Sequence, residues 1–333
     1  ELVKNFEATK LPAVDPMPWY VMKYKKRDYW YSDANPYSAK DFSMNFTSVH
    51  ELVNEYHESH VESTAKALAF ARETVSPLFP ESLDADLVKQ GADLFHGRVK
   101  PANRRGFVSC KTCHGTYTKK DPAGDWSAPG SWLVDYNHTD KFRNVKTDPT
   151  YNEVLQTFRP IVEHLDKLSA YYEAQGRPDL APTASVPDKP GYVAPPLVGV
   201  WASAPYFHNG SVPTINAVLT SKERPEIWLR NCNDPKAYDL ERVGLDHSTL
   251  TRAEYEAGAA KVADANPKSN TWIDHRSTYD TNAFGHANMG HTFGDNLSDQ
   301  ERSAVIEFLK SLSGPDMPPR NPHPRPQSLA EAN

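Results

Sequence analysis

The segment that most constrains this chain is Cys110-Lys111-Thr112-Cys113-His114. It has the spacing C-x-x-C-H, with which a polypeptide attaches a c-type haem. Each thiol adds to one vinyl group at the porphyrin edge, and the two intervening residues set the separation of those bonds. The next residue, His114, then lies under the iron and donates a ring nitrogen. Other uses of paired cysteines fit less well. A zinc site needs two more Cys or His at a similar knuckle, and the sequence has none. A thioredoxin-like pair needs a βαβ context, which is missing. Cys232 is left over, so the count excludes a disulfide framework. The predicted cofactor is one covalent haem c.

Composition bounds the rest. The chain has 333 residues and a formal net charge of -6, which argues against a nucleic-acid partner, because phosphate binding wants a basic surface. No apolar run is long enough to span a bilayer. Haem attachment normally happens outside the cytosol, so a periplasmic or secreted protein is expected, with its signal peptide removed. Glu1-Leu2-Val3-Lys4 lacks the basic and apolar regions of such a peptide and reads as lying near a processed terminus. The 28 prolines outnumber the 16 glycines. Proline fixes φ and removes a donor. A mainly α fold is therefore expected, a cytochrome c-like helical haem domain with long Pro-rich loops and insertions.

Along the chain, residues 1–47 form an aromatic-rich arm, with Trp19-Tyr20, Tyr29-Trp30-Tyr31 and Asn35-Pro36. A long helix is expected over 48–75, capped by Ser48 and Glu51 and ended by Pro77. A second runs over 84–96, with Leu87, Gly91, Leu94 and Phe95 on one face. Residues 116–195 read as loop-rich with one helical segment near 161–175. Residues 221–284 read as a polar insertion with a short helix near 251–263. The last helix, 298–312, carries a capping box of Ser298 and Glu301, and Phe308 lies on its apolar side. Two helices bearing Gly91, Phe95 and Phe308, packed around a haem, make the cytochrome c pattern. Three regions result: 1–83 without a haem motif, 84–315 as the haem domain, and 316–333 as a Pro-rich tail.

The sixth ligand decides what a haem can do, since a bound His or Met closes the iron and favours electron transfer. The best window is Gly285 to Gly294, just before the last helix, with His286, Met289 and His291 flanked by glycines. His291 ranks first, Met289 second and His286 third. His208 lies either near a haem edge or as a loop histidine bonded to Asn209 or backbone. His57 and His60 read as a solvated helix face. Trp201 and Tyr206 are read as packing around the haem, with an electron route as the alternative.

The motif, the stretch Gly199 to Thr214 with Ala204-Pro205-Tyr206-Phe207-His208-Asn209-Gly210-Ser211 at its centre, Glu223-Arg224-Pro225 and Gly290-His291-Thr292-Phe293-Gly294 carry a resemblance. The sequence resembles the di-haem cytochrome c peroxidase superfamily, in particular its rubber-oxygenase-like branch, over about residues 84–315. The resemblance implies two histidine ligands at the positions of His114 and His291, whereas the peroxidases proper usually have Met there. It also implies calcium as a candidate ion. Relatives have two C-x-x-C-H motifs and this chain has one; residues 1–83 contain no cysteine. The expected function is electron transfer through one six-coordinate, bis-His haem. The expected partner is a redox protein or a multi-subunit redox complex, with the N-terminal arm as a docking element. The alternative is a peroxidase- or oxygenase-like enzyme with an open or labile distal site and His208 or His291 as its base.

Overall fold

A computed structural model describes residues 12–25, 54–136, 142–157, 159–181, 191–231, 234, 237–265 and 277–320. Its helices are α1 (Asn54–Glu73), α2 (Ala85–Phe95), α3 (Lys111–His114), α4 (Thr150–Thr157), α5 (Arg159–Ala174), α6 (Ile215–Leu219), α7 (Arg252–Ala265) and α8 (Asp299–Ser311). Its strands are β1 (Thr116–Lys119), β2 (Trp132–Asp135), β3 (Phe142–Arg143), β4 (Tyr192–Val193), β5 (Ile227–Arg230), β6 (Tyr238–Asp239), β7 (Gly244–Leu245), β8 (His247–Thr249) and β9 (Thr278–Asp280).

The centre of the fold is the crossing of α2 and α8. Asp84 caps α2 by accepting from the amides of Asp86 and Leu87. Ser298 and Glu301 cap α8 reciprocally, as a capping box does. Val88, Ala92 and Phe95 of α2 are buried against Ala304, Val305 and Phe308 of α8. Gly91 sits at the crossing point. A Cβ there would lie 1.9 Å from the Ala304 carbonyl oxygen and 2.8 Å from Phe308 Cβ. The helix backbones therefore touch where any side chain would hold them apart. Phe308 then stacks at an angle on Phe95, at 5.1 Å, and on Trp132 of β2, at 5.2 Å.

The expected mainly α fold does not hold: the chain is 36% helix and 13% strand, in several sheets. β1 pairs antiparallel with β2 and β3 with β4; β5 lies between β8 and β9; β6 pairs with β7. These strands are two to four residues long, too short for a period-2 pattern to show. Their hydrophobic content is instead in single large side chains. Tyr117 and Trp132 are fully buried on the β1–β2 ribbon, and Trp228 of β5 stacks on Tyr279 of β9 at 5.3 Å. The region read as a polar insertion thus holds a three-stranded sheet, and α4 lies in the stretch read as loop.

The described part of the N-terminal arm packs on the 199–208 segment and on the end of α1. Residues Trp19–Tyr24 make a 3₁₀ turn after Pro18. The Tyr20 hydroxyl donates to the Gly199 carbonyl at 3.0 Å, and the Asp15 amide donates to His208 at 2.7 Å. At the other end, Pro318 and Arg320 lie along Val134 of β2. The expected cap at Ser48 and Glu51, the aromatics Tyr29 to Tyr31, the His57 side chain, Cys232 and the tail beyond 320 lie outside the described residues.

Two predictions follow from the crossing. Gly91→Ala should cost about 3 kcal/mol of stability, because backbone must move to admit one methyl; a lowered urea midpoint checks this. His96, at the end of α2, is 3% exposed. Its Nε2 accepts from the Tyr117 amide at 3.0 Å, and its Nδ1 lies 2.6 Å from the Ala92 carbonyl. That pairing needs a neutral ring, and burial pushes the pKa down from 6.5 to about 4. The unfolded chain takes up this proton first, so the contribution is complete above pH 6.5 and drains as pH falls towards about 4. Between pH 7 and pH 4 the unsubstituted protein should lose about 3 kcal/mol more than His96→Gln, measured by denaturant unfolding.

Candidate functional site

The attachment motif is folded as a single helical turn. Cys110 precedes α3, and its carbonyl accepts from the amides of Cys113 and His114. Gly115, at φ +87°, ends the turn against the Asp135 carbonyl, 2.9 Å from where a Cβ would sit. Both thiols and the His114 ring line a deep cleft, which encloses about 1680 Å³ with the space at its mouth included. Its walls are overwhelmingly apolar. Leu94, Val305 and Leu309 come from the crossing helices, Pro195 and Leu197 from the segment after β4, and Phe207 from the opposite side. A wall of this kind suits a flat apolar ring.

Among the described residues, the His114 ring is held by one hydrogen bond. Its Nδ1 lies 2.8 Å from the Pro195 carbonyl oxygen. A carbonyl only accepts, so Nδ1 carries the hydrogen and Nε2 keeps its lone pair for a metal. Burial lowers the pKa of His114 from its ordinary value, which keeps the ring neutral. Burial also pushes the Cys110 thiol up to about 12.

Across the cleft stands His291. Its ring centre is 6.1 Å from that of His114, with the planes at 70°. Two imidazoles that ligate one iron from opposite sides place their centres about 6 Å apart. The pair therefore fits a haem iron between them, and Cys110 and Cys113 fit its covalent attachment. Burial, with His114 and Arg224 adding to it, pushes the His291 pKa down to about 3. Phe207 and Phe293 flank the ring at 5.9 and 5.3 Å. The His291 backbone is left-handed, at φ +44°, and its amide donates to the Val145 carbonyl at 2.9 Å. Gly290, at φ +76°, packs directly on the main chain of Lys146, which is itself at φ +66°. The glycine thus serves close contact between two loops rather than an approach to the cleft.

The other expected residues divide. Met289 is 55% exposed and lies outside the cleft. His286 packs on Tyr279 at 5.0 Å, also outside it. His208 is buried in the cleft wall and stacks on Tyr192, with ring centres 3.7 Å apart. Burial holds its pKa at about 4. Tyr206 lines the cleft by its ring, and its hydroxyl donates to the Val200 carbonyl at 3.1 Å. Trp201 does not line it. It packs on Phe79 at 5.3 Å and donates to the Pro77 carbonyl at 3.1 Å. Among the described residues, no group of three or more His, Cys, Asp or Glu is placed to hold a metal ion such as calcium. Asp15, Arg143, Val145 and Tyr192 also line the cleft. Sequence reasoning missed them because each sits alone in a loop or on a very short strand.

Comparison with known proteins bears on one wall of this cleft. Residues 191–229 match the family described as RoxA-like, cytochrome c-like. That stretch contains Pro195, Phe207, His208 and Arg224, and it bears out the resemblance to the rubber-oxygenase-like group. A cytochrome c-like domain, as this match indicates, implies haem c and is typical of extracytoplasmic proteins. Two proteins of Sinorhizobium fredii (strain NBRC 101917 / NGR234) are also similar. Uncharacterized protein y4iM is 38% identical over 115 residues, which is 34% of this chain and 22% of that protein. Uncharacterized protein y4iJ is 34% identical over 132 residues, 36% of this chain and 18% of that protein. The chain thus spans about a fifth of the length of the curated relatives it matches. Among the described residues, no helix is long and apolar enough to cross a membrane.

Gly290→Ala should strain the loop at a positive φ and press it against Lys146, costing about 2 kcal/mol. A thermal melt of the holoprotein, several degrees below that of the unsubstituted protein, is the expected result.

Proposed function

We propose that this chain is a monohaem c-type cytochrome that transfers electrons through a six-coordinate haem held by His114 and His291. The carrying observation is the facing pair of half-buried imidazoles, 6.1 Å apart across an apolar cleft that also presents both attachment cysteines. Haem, when bound, supplies a one-electron ferric–ferrous couple. The chain's part is to hold and insulate it. Cys110 and Cys113 anchor the ring edge, and the Pro195 carbonyl fixes the tautomer and direction of His114. With haem bound, the aliphatic and aromatic walls would exclude water from it, and His291 would fill the position that peroxide or oxygen needs.

The partner is a redox protein or a larger redox complex outside the cytosol. A basic rim supports this. Arg104, Arg105 and Lys111 are exposed, close in sequence to the cleft-lining Phe107, Val108 and Cys110, and form no ion pairs among the described residues. In a chain of net charge -6, that local sign favours an acidic partner surface close to the ring edge.

Visible and EPR spectra of the oxidised protein test the reading. A low-spin ferric signal is expected. His291→Ala should turn it high-spin, while Met289→Leu should leave it unchanged. A high-spin signal from the unsubstituted protein would sink the electron-transfer reading and favour the peroxidase- or oxygenase-like alternative.

A further inference from the structure

We infer that Arg224 is the positioning residue for the distal axial ligand: its guanidinium locks the loop that presents His291 to the iron. The inference rests on reading His291 as that ligand.

A guanidinium has five N–H donors in a planar fork. In this protein every donor direction goes to a main-chain carbonyl. Nε donates to Ala217 at 3.0 Å and Nη2 to Val218 at 3.0 Å, both at the end of α6. Nη1 donates to Asn288 at 2.8 Å and to Gly290 at 2.6 Å, and Nη2 also reaches His291 at 3.0 Å. One side chain thus ties the open carbonyl end of a helix to the carbonyls of the ligand loop. Among the described residues it alone donates to the carbonyls of Gly290 and His291.

The same group reaches the ligand by a second path. Its carbon lies 4.9 Å from the centre of the Phe207 ring, and Phe207 flanks the His291 ring at 5.9 Å. Backbone and ring of the ligand are therefore both set from one cation. Among the described residues, no carboxylate pairs with it. Asp295, the acid whose field it feels, is occupied by the amide and hydroxyl of Ser221. Arg252, only a short way along the chain, shows the ordinary alternative. It pairs with Glu226 and Asp280 at 3.0 and 2.6 Å. An arginine spent wholly on carbonyls holds geometry rather than charge balance. It does so next to a left-handed residue, His291 at φ +44°, which needs surrounding structure to stay in place. Lysine offers a point charge with three donors and cannot span both segments.

The test compares Arg224→Lys with Arg252→Lys, which disrupts another arginine network in the same part of the chain. Both are prepared as holoproteins and read by ferric EPR and by titration with imidazole. Arg224→Lys should gain a high-spin component and bind imidazole about tenfold more tightly, because the fraction with a free sixth position rises. Arg252→Lys should change neither. A low-spin Arg224→Lys whose imidazole affinity is unaltered would overturn the inference. Should that variant not accumulate with haem, amide exchange of the unsubstituted holoprotein decides instead. Residues 288–294 should exchange as slowly as α6, and exchange at the rate of exposed loops overturns the inference. His291→Ala, run beside them, separates the two claims. If its spectrum is unchanged, the ligand assignment itself falls. If it turns high-spin and Arg224→Lys does not, only the role of Arg224 falls.

Discussion

Everything in this structure depends on the contact of α2 with α8 at Gly91. Main chain meets main chain there, because no Cβ intervenes. Close approach brings Phe95 and Phe308 together and lets Phe308 reach Trp132 on the far side. The two helices thereby serve two purposes. One flank, with Leu94, Val305 and Leu309, is the wall of the cleft. The other supports the β1–β2 ribbon, and that ribbon begins two residues after His114. The attachment motif is thus suspended between the helix crossing and a strand pair that the crossing holds in place.

The rest of the cleft is assembled largely from loops. His114 takes its orientation from the Pro195 carbonyl, and His291 takes its from Val145, Lys146 and the guanidinium of Arg224. These segments are far apart in sequence. Prolines and left-handed residues in them bring stiffness without the regular hydrogen bonding of a helix. The two histidines are consequently not equivalent. His114 rides on a helical turn and has a hydrogen-bonded Nδ1. His291 rides on a strained loop, and its Nδ1 has no partner among the described residues.

What was legible in the sequence was local. Ser298 with Glu301 marks the start of α8, Asp84 the start of α2, and the attachment motif announces its cofactor by spacing alone. The Ala204 to Ser211 stretch stood out as the centre of the resemblance, and it forms part of the cleft wall through Phe207 and His208. The strands were not legible. Ile227 to Arg230 is stabilised by partners at 247–249 and 278–280, and four residues cannot declare such pairings in advance. Nor could Trp201 be placed. Its neighbours along the chain line the cleft, but the turn at Val200–Ala202 directs it to Phe79 instead. Arg224 was visible only as part of a resembling motif, because the value of its fork lies in carbonyls that sequence does not mark.

Asp15, Met17 and Val21 line the cleft, so its last side is supplied by residues near the start of the chain. That segment is tied down by Tyr24, whose hydroxyl donates to the carbonyl of Met317, 293 positions away. A closure of that span carries more loop entropy than any shorter pairing in the fold and is rewarded only once the body beneath it exists. On this ground the N-terminal seal should close after the body beneath it has formed. The pocket can be complete in its helices and its ligands while it still stands open to an incoming ring.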